Sequence, residues 1–216
     1  MKVTRLADGL WRWTALHPDW KPGDGGPEGW EQEVSCVYLE AQNDVVLVDP
    51  LVPADERERF FEALDRDVAR AGLPVAIVIT CESHGRSATV LRDRYEAEIW
   101  APAGAVGVTR APVTRPFAPG DALPGGLEPL DVGLPAEVLL WIPAHATLVA
   151  GDAILGTADG GLRRCPDSWL PRGLGAARFV ERLSSVLRLP VERVVPTHGD
   201  PVEQDAVATL RAAIEH

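Results

Sequence analysis

The chain has 216 residues, 46% of them hydrophobic, enough for one large domain with a sizeable core, and we expect residues 1–216 to form it. Its formal net charge of -11 excludes nucleic acid and an anionic membrane surface as partners. Cys36, Cys81 and Cys165 are odd in number and lack CxxC spacing, which argues against a disulfide framework or zinc knot and for a reducing cytoplasm. The opening residues lead into no apolar signal region, and no apolar run approaches the roughly 20 residues that span a bilayer.

Strands are expected over 3–6, 10–14, 33–39 and 45–48, with Asn43-Asp44 marking a hairpin between the last two. Residues 15–30 form a Gly/Pro-rich loop of a length that commonly serves as a lid or binding loop. Trp11, Trp13, Trp20 and Trp30 surround it. The ordinary reading puts two of them in the core and two as braces for the loop; the alternative makes them a ligand-cleft wall. A strand then ends in Asp49, and a helix follows over 55–71, with Phe60, Phe61, Leu64 and Val68 on one face and Gly72 at its stop.

The run Val75-Ala76-Ile77-Val78-Ile79-Thr80 is apolar and β-branched, which reads as a strand buried on both faces. It stops in Cys81-Glu82-Ser83-His84-Gly85-Arg86 before a helix over 89–95 and a strand over 98–101. Residues 112–131 are turn-rich, and 138–142 with 147–149 make a hairpin around Pro143-Ala144-His145. Gly151-Asp152 follows, then a long loop over 156–175 carrying Arg163, Arg164, Cys165 and Trp169. A helix over 176–187, a strand over 191–195 ending at His198, and a helix over 202–214 complete the chain. Meander, alternation and second meander predict an α+β fold of two mixed sheets with helices on their outer faces.

Polar groups thus gather at four strand ends: Asp49, the Cys81–Arg86 cluster, Asp152 and His198. Carboxyl ends of buried strands are where ligands collect. With Val46-Leu47-Val48-Asp49-Pro50, Val149-Ala150-Gly151-Asp152-Ala153 and Val195-Pro196-Thr197-His198-Gly199-Asp200-Pro201 in this order, nearly the whole chain resembles the metallo-β-lactamase superfamily. The resemblance implies a four-layer αββα sandwich and hydrolytic chemistry on bound metal. It likens Asp152 to the metal-bridging acid, His198 to the last ligand histidine, and Asp49 to the strand-end acid beside the site. The family's His-x-His-x-Asp-His signature is not kept. Anchored on Thr80, its positions fall on Cys81, Ser83, Gly85 and Arg86; slipped by one, Glu82 and His84 take the two leading places. No histidine occurs at Val132-Gly133-Leu134-Pro135-Ala136, where another ligand would fall.

Asp152 and His198 alone are too few for a zinc site, which needs at least three N, S or O donors. The expectation is therefore a degenerate, metal-free cleft that binds a small molecule, in which Arg86 forks onto the orphaned acids as their counter-charge, or, as a binding module, joins Arg163 and Arg164 (ordinarily a solvated pair) in holding an anionic molecule. One alternative is a mononuclear site, zinc or another divalent ion, with Cys81 or His84 as third ligand, hydrolysing an ester, thioester or lactone. Another is a thiol hydrolase using Cys81, His198 and Asp152. The ordinary readings are a buried Cys81 packed as a small hydrophobe, and His84 and His198 bonded to backbone. Asp49, Cys81, Glu82, His84, Arg86, Asp152 and His198 are the candidate cleft residues.

Overall fold

Strand alternation divides the apolar residues of this chain among three cores. In the computed structural model, which describes residues 1–215, the larger sheet holds β1 (Val3–Ala7), β2 (Leu10–Leu16), β3 (Glu33–Glu40), β4 (Val45–Val48), β5 (Val75–Val78), β6 (Glu98–Pro102) and β7 (Arg115–Phe117), side by side in chain order. Its first four strands run as an antiparallel meander. From β4 to β7 the pairing is parallel. Crossovers are made by α1 (Arg57–Ala71) and α2 (Ala88–Tyr95).

The smaller sheet comprises β8 (Glu128–Asp131), β9 (Val138–Ile142) and β10 (Thr147–Ala150), with β11 (Ile154–Gly156) and β12 (Leu162–Arg164) following as a separate hairpin before β13 (Arg193–Pro196) pairs parallel to β10. The helices α3 (Ala176–Leu183) and α4 (Ala206–Glu215) pack on it.

Val45 and Leu47 of β4 join the helix-side core of the larger sheet, whereas Val46 and Val48 join the core between the sheets. In β9, Val138, Leu140 and Ile142 face that same inner core while Leu139 and Trp141 face α3 and α4. This period of two is what a strand covered on both faces requires. The result is the four-layer helix–sheet–sheet–helix sandwich expected from the order of elements. Each fully buried Leu or Ile in it stabilises by roughly 1.5–3 kcal/mol relative to exposure, so the three apolar cores hold the layers together. The strand ends are left free for polar groups.

Four local expectations need correction. The turn-rich stretch contains β7 and β8, and the second loop contains the hairpin β11–β12. The last helix begins at Ala206, because Val202 instead pairs with Val194 through two 2.9 Å backbone hydrogen bonds. The helix expected over 176–187 tightens at Ser184 into a 3-10 turn that runs to Arg188. No helix among the described residues is long and apolar enough to cross a membrane.

Candidate metal centre

The parallel strand β5 ends beside β4, and this places Asp49 next to Thr80 and His84. Asp49 turns into the left-handed region (φ 48°), and its carboxylate is buried. The Thr80 backbone N–H donates to Asp49 Oδ1 at 2.8 Å, and the Thr80 hydroxyl donates to Oδ2 at 2.6 Å. His84, brought inward by the 3-10 turn Glu82–Gly85, sets Nδ1 2.9 Å from the same Oδ2. A carboxylate can only accept, so this contact assigns the proton to Nδ1 and leaves Nε2 directed away from Asp49.

The smaller sheet supplies the facing groups. Asp152 follows β10 after Gly151, where a Cβ would lie 2.8 Å from Glu137 Oε1 and 3.0 Å from Thr80 Oγ1; only glycine lets the turn pass so close. His198 follows β13. Its loop is clamped by the buried Arg12, which donates from Nε to Ser35 Oγ at 2.8 Å and from Nη2 to Gly199 O at 2.9 Å. The Trp30 ring lies against the imidazole with centroids 4.7 Å apart.

Three atoms converge between the sheets. His84 Nε2 lies 3.1 Å and His198 Nε2 3.2 Å from Asp152 Oδ1. Yet Oδ1 accepts no properly directed hydrogen bond among the described residues, since neither ring N–H points along the line to it. Cys81 completes a set of three donor atoms with His84 and Asp152, all within 4.8 Å of one another. Its sulfur lies 3.6 Å from Asp152 Oδ2 and 3.0 Å from Ser83 Oγ.

Burial works against charge throughout this cluster. For Asp152, burial is outweighed by His84 and His198, and the carboxyl falls well below its ordinary range. Asp49 is likewise lowered against its burial, chiefly by His84. Burial and Arg86 oppose protonation of His84, but Cys81, Asp152 and Asp49 raise it well above an ordinary imidazole. His198 is lowered, by burial first and by the charges of Arg86 and His84. Burial and then Asp152 push the Cys81 thiol up to about 12.

Cys81, His84 and Asp152 therefore meet at one point, with His198 against Asp152 and Asp49 behind the far nitrogen of His84. Glu82 is exposed on the rim. Arg86 differs from the counter-charge expected of it: Nη1 reaches the backbone carbonyl of Asp49 at 3.1 Å and that of Ser35 at 3.5 Å, and neither carboxylate pairs with the guanidinium. His84 occupies that position instead, because the 3-10 turn directs the imidazole between the two acids. Arg163 and Arg164 lie apart from the cluster, bonded to Gly29 O and Asp167.

Glu137 escaped the sequence reading. It is buried, its Oε1 accepts the Ala153 N–H at 2.5 Å, and burial with Asp152 nearby pushes it up to about 8. The available signal was an acid opening the otherwise apolar strand 138–142. His17, Trp30 and Trp169 also line the cleft above the cluster, a space of about 690 Å³. A groove of about 650 Å³ beside Trp11 and Tyr38 is lined by none of the candidate residues.

No family model matches the chain, and no curated protein matches it. Solved structures do. A metallo-β-lactamase from Erythrobacter litoralis with β-mercaptoethanol in its active site aligns with TM-score 0.71 over 99% of this chain and 95% of that one, at 14% identity. The chain has the metallo-β-lactamase fold. A metallo-β-lactamase from Pontibacter korlensis aligns with TM-score 0.68 over 100% of this chain and 99% of its own, at 16% identity. The mono-zinc form of FIM-1 from Pseudomonas aeruginosa aligns with TM-score 0.68 over 99% and 94%, at 14% identity. On this metallo-β-lactamase scaffold the convergent atoms lie where both sheets end.

The donors present fit one ion. Zinc takes N and O ligands at about 2.0–2.2 Å, so tetrahedral neighbours stand about 3.3–3.6 Å apart. The 3.1 and 3.2 Å separations from Asp152 Oδ1 approach that spacing, while the set whose donors all lie within 4.8 Å of one another is Cys81, His84 and Asp152. Asp49 fixing the far nitrogen of His84 is how a carboxylate orients a metal-ligating histidine.

Proposed function

We propose that the protein is a mononuclear metal-dependent hydrolase acting on an ester, thioester or lactone, with His84, Asp152 and His198 as the ion's ligands. The observation that carries this reading is Asp152 Oδ1: two ring nitrogens approach it, and neither is aligned to bond it. Close approach without a well-directed bond is what donors sharing a third partner would show. Three ligands leave a fourth position open, as a catalytic site needs.

A divalent ion held there would supply Lewis acidity toward a substrate carbonyl. The chain's own groups do the rest. Asp49 and Thr80 hold the His84 ring and its tautomer. Trp30 and the Arg12 clamp hold His198. His17, lowered by burial and by Arg86, stays neutral near pH 7 and stands in the cleft untied to Asp152. It is therefore the imidazole free to exchange a proton with bound substrate. Trp30 and Trp169 line the cleft with apolar surface. A thiol route through Cys81 is disfavoured, since a buried thiol near pKa 12 carries almost no thiolate at neutral pH.

A second reading has its own support. Protonated His84 bridges Asp49 and Asp152 and offsets one of their two charges without an ion, which suits a metal-free binding cleft. Cobalt substitution with a hydrolysis screen separates the two. The hydrolase reading expects a cobalt visible spectrum without a thiolate charge-transfer band, and turnover abolished in Asp152→Ala. No cobalt uptake and no turnover would favour the metal-free cleft.

A further inference from the structure

Among the described residues, Arg86 is the cation of the cleft left without a carboxylate. Arg110, at the mouth, is paired with Asp19 at 2.9 Å. Arg12, beneath the floor, is paired with Asp200 at 3.2 Å. The buried acids Asp49 and Asp152 are served by His84. Arg86 Nη1 meets only backbone carbonyls, Nε is buried with no acceptor, and Nη2 makes no hydrogen bond among the described residues. A guanidinium edge left unpaired in a partly desolvated site is costly unless a ligand completes it.

The surroundings narrow the ligand. Trp30 stands on one side, with His17 edge-on to it at 5.2 Å between ring centroids, and Trp169 also lines the space. Trp169 is 39% exposed and Val108 67% exposed, an apolar rim that a bound molecule would cover. Asp19, Glu82 and Asp152 line the same cleft. One unpaired positive charge among three acids tolerates a single negative charge far better than a phosphate dianion. A planar carboxylate also matches the guanidinium fork.

We infer that the cleft takes a monocarboxylate with an apolar or aromatic body, its carboxylate on Arg86 and its body between Trp30 and Trp169. This rests on the hydrolase reading for its catalytic meaning: the substrate would be an ester, thioester or lactone bearing a free carboxylate beside the scissile group. The binding itself requires no ion.

Calorimetric titration tests it, using phenylacetate and its neutral isostere phenylacetamide on chelator-treated and on zinc-incubated protein. The expected result is phenylacetate binding in both preparations, at least tenfold tighter than phenylacetamide, and weakened tenfold or more by Arg86→Gln. Should Arg86→Gln fail to fold by circular dichroism, Arg86→Lys carries the test. It keeps the charge but not the fork, and at least fivefold weaker binding is expected. Equal binding of acid and amide would overturn the inference, as would no binding, or binding only after zinc with Arg86→Gln unaffected. Failure to take up zinc overturns the hydrolase reading alone, because the chelated arm still reports on Arg86.

Discussion

The two sheets bring different kinds of chemistry to the cleft. On the larger sheet, Asp49, Thr80 and His84 Nδ1 form a closed set in which the hydrogen bonds are short and directed. On the smaller sheet, Asp152 Oδ1 and His198 Nδ1 are buried without a directed partner. The first half is finished as folded and serves to orient; the second carries unmet bonding capacity. Ligands bind where capacity remains, so on the proposed reading the smaller sheet marks where an ion would go and the larger sheet would decide how well it is held.

The sharpest way to break this contrast is to damage the finished half. Asp49→Asn keeps a side chain that tolerates φ 48° but removes the charge paired with His84. Breaking a buried pair from one side costs about 3–5 kcal/mol. We expect a loss of that order in urea unfolding of metal-free protein, with zinc affinity falling about 10–100-fold.

A smaller effect is expected on the other half. Gly199 has φ 104°, and a Cβ there would lie 2.6 Å from Gly156 Cα, a backbone atom that cannot yield. Gly199→Ala should cost about 1–3 kcal/mol by thermal unfolding. It should also displace His198 and weaken zinc binding, while Gly23→Ala, whose Cβ meets nothing within 4 Å at an ordinary φ, leaves zinc binding unchanged.

Glu137 sharpens the comparison through pH, because the charge of nearby Asp152 acts on it. Its folded pKa is raised, from an ordinary 4.5 to about 8. A raised carboxyl favours folding below its unfolded pKa and progressively loses that contribution as pH climbs through the folded one. In metal-free protein, Glu137→Gln should therefore gain stability relative to the parent between pH 5 and pH 8 (about the two pKa values), as urea midpoints will show. A Gln oxygen can still accept the Ala153 N–H. The smallest effect belongs to Trp30→Ala, which removes the ring tilted against His198. It should cost about 1 kcal/mol in unfolding and weaken zinc binding only a few-fold.

What was legible in the sequence follows the same division. Strand β4 was read residue for residue, because four consecutive apolar residues bounded by Asp44 and Asp49 leave little choice. The strand-end acids Asp49 and Asp152 and the terminal His198 were visible because each interrupts an apolar run. Strand β7, Arg115-Pro116-Phe117, was not visible: three residues with a central proline carry no period, and only the edge position beside β6 makes them a strand. The exchange of roles between Arg86 and His84 was hidden for a related reason. Hydropathy does not say which of two polar residues a 3-10 turn directs inward, and here the turn after Cys81 chose the imidazole.

The most direct test is metal content. After zinc reconstitution and exhaustive dialysis, emission spectrometry should find close to one zinc per chain in the parent and in Cys81→Ala, and little in Asp152→Ala or His198→Ala. A parent that retains no zinc, or variants of Asp152 and His198 that retain as much as the parent, would contradict the account.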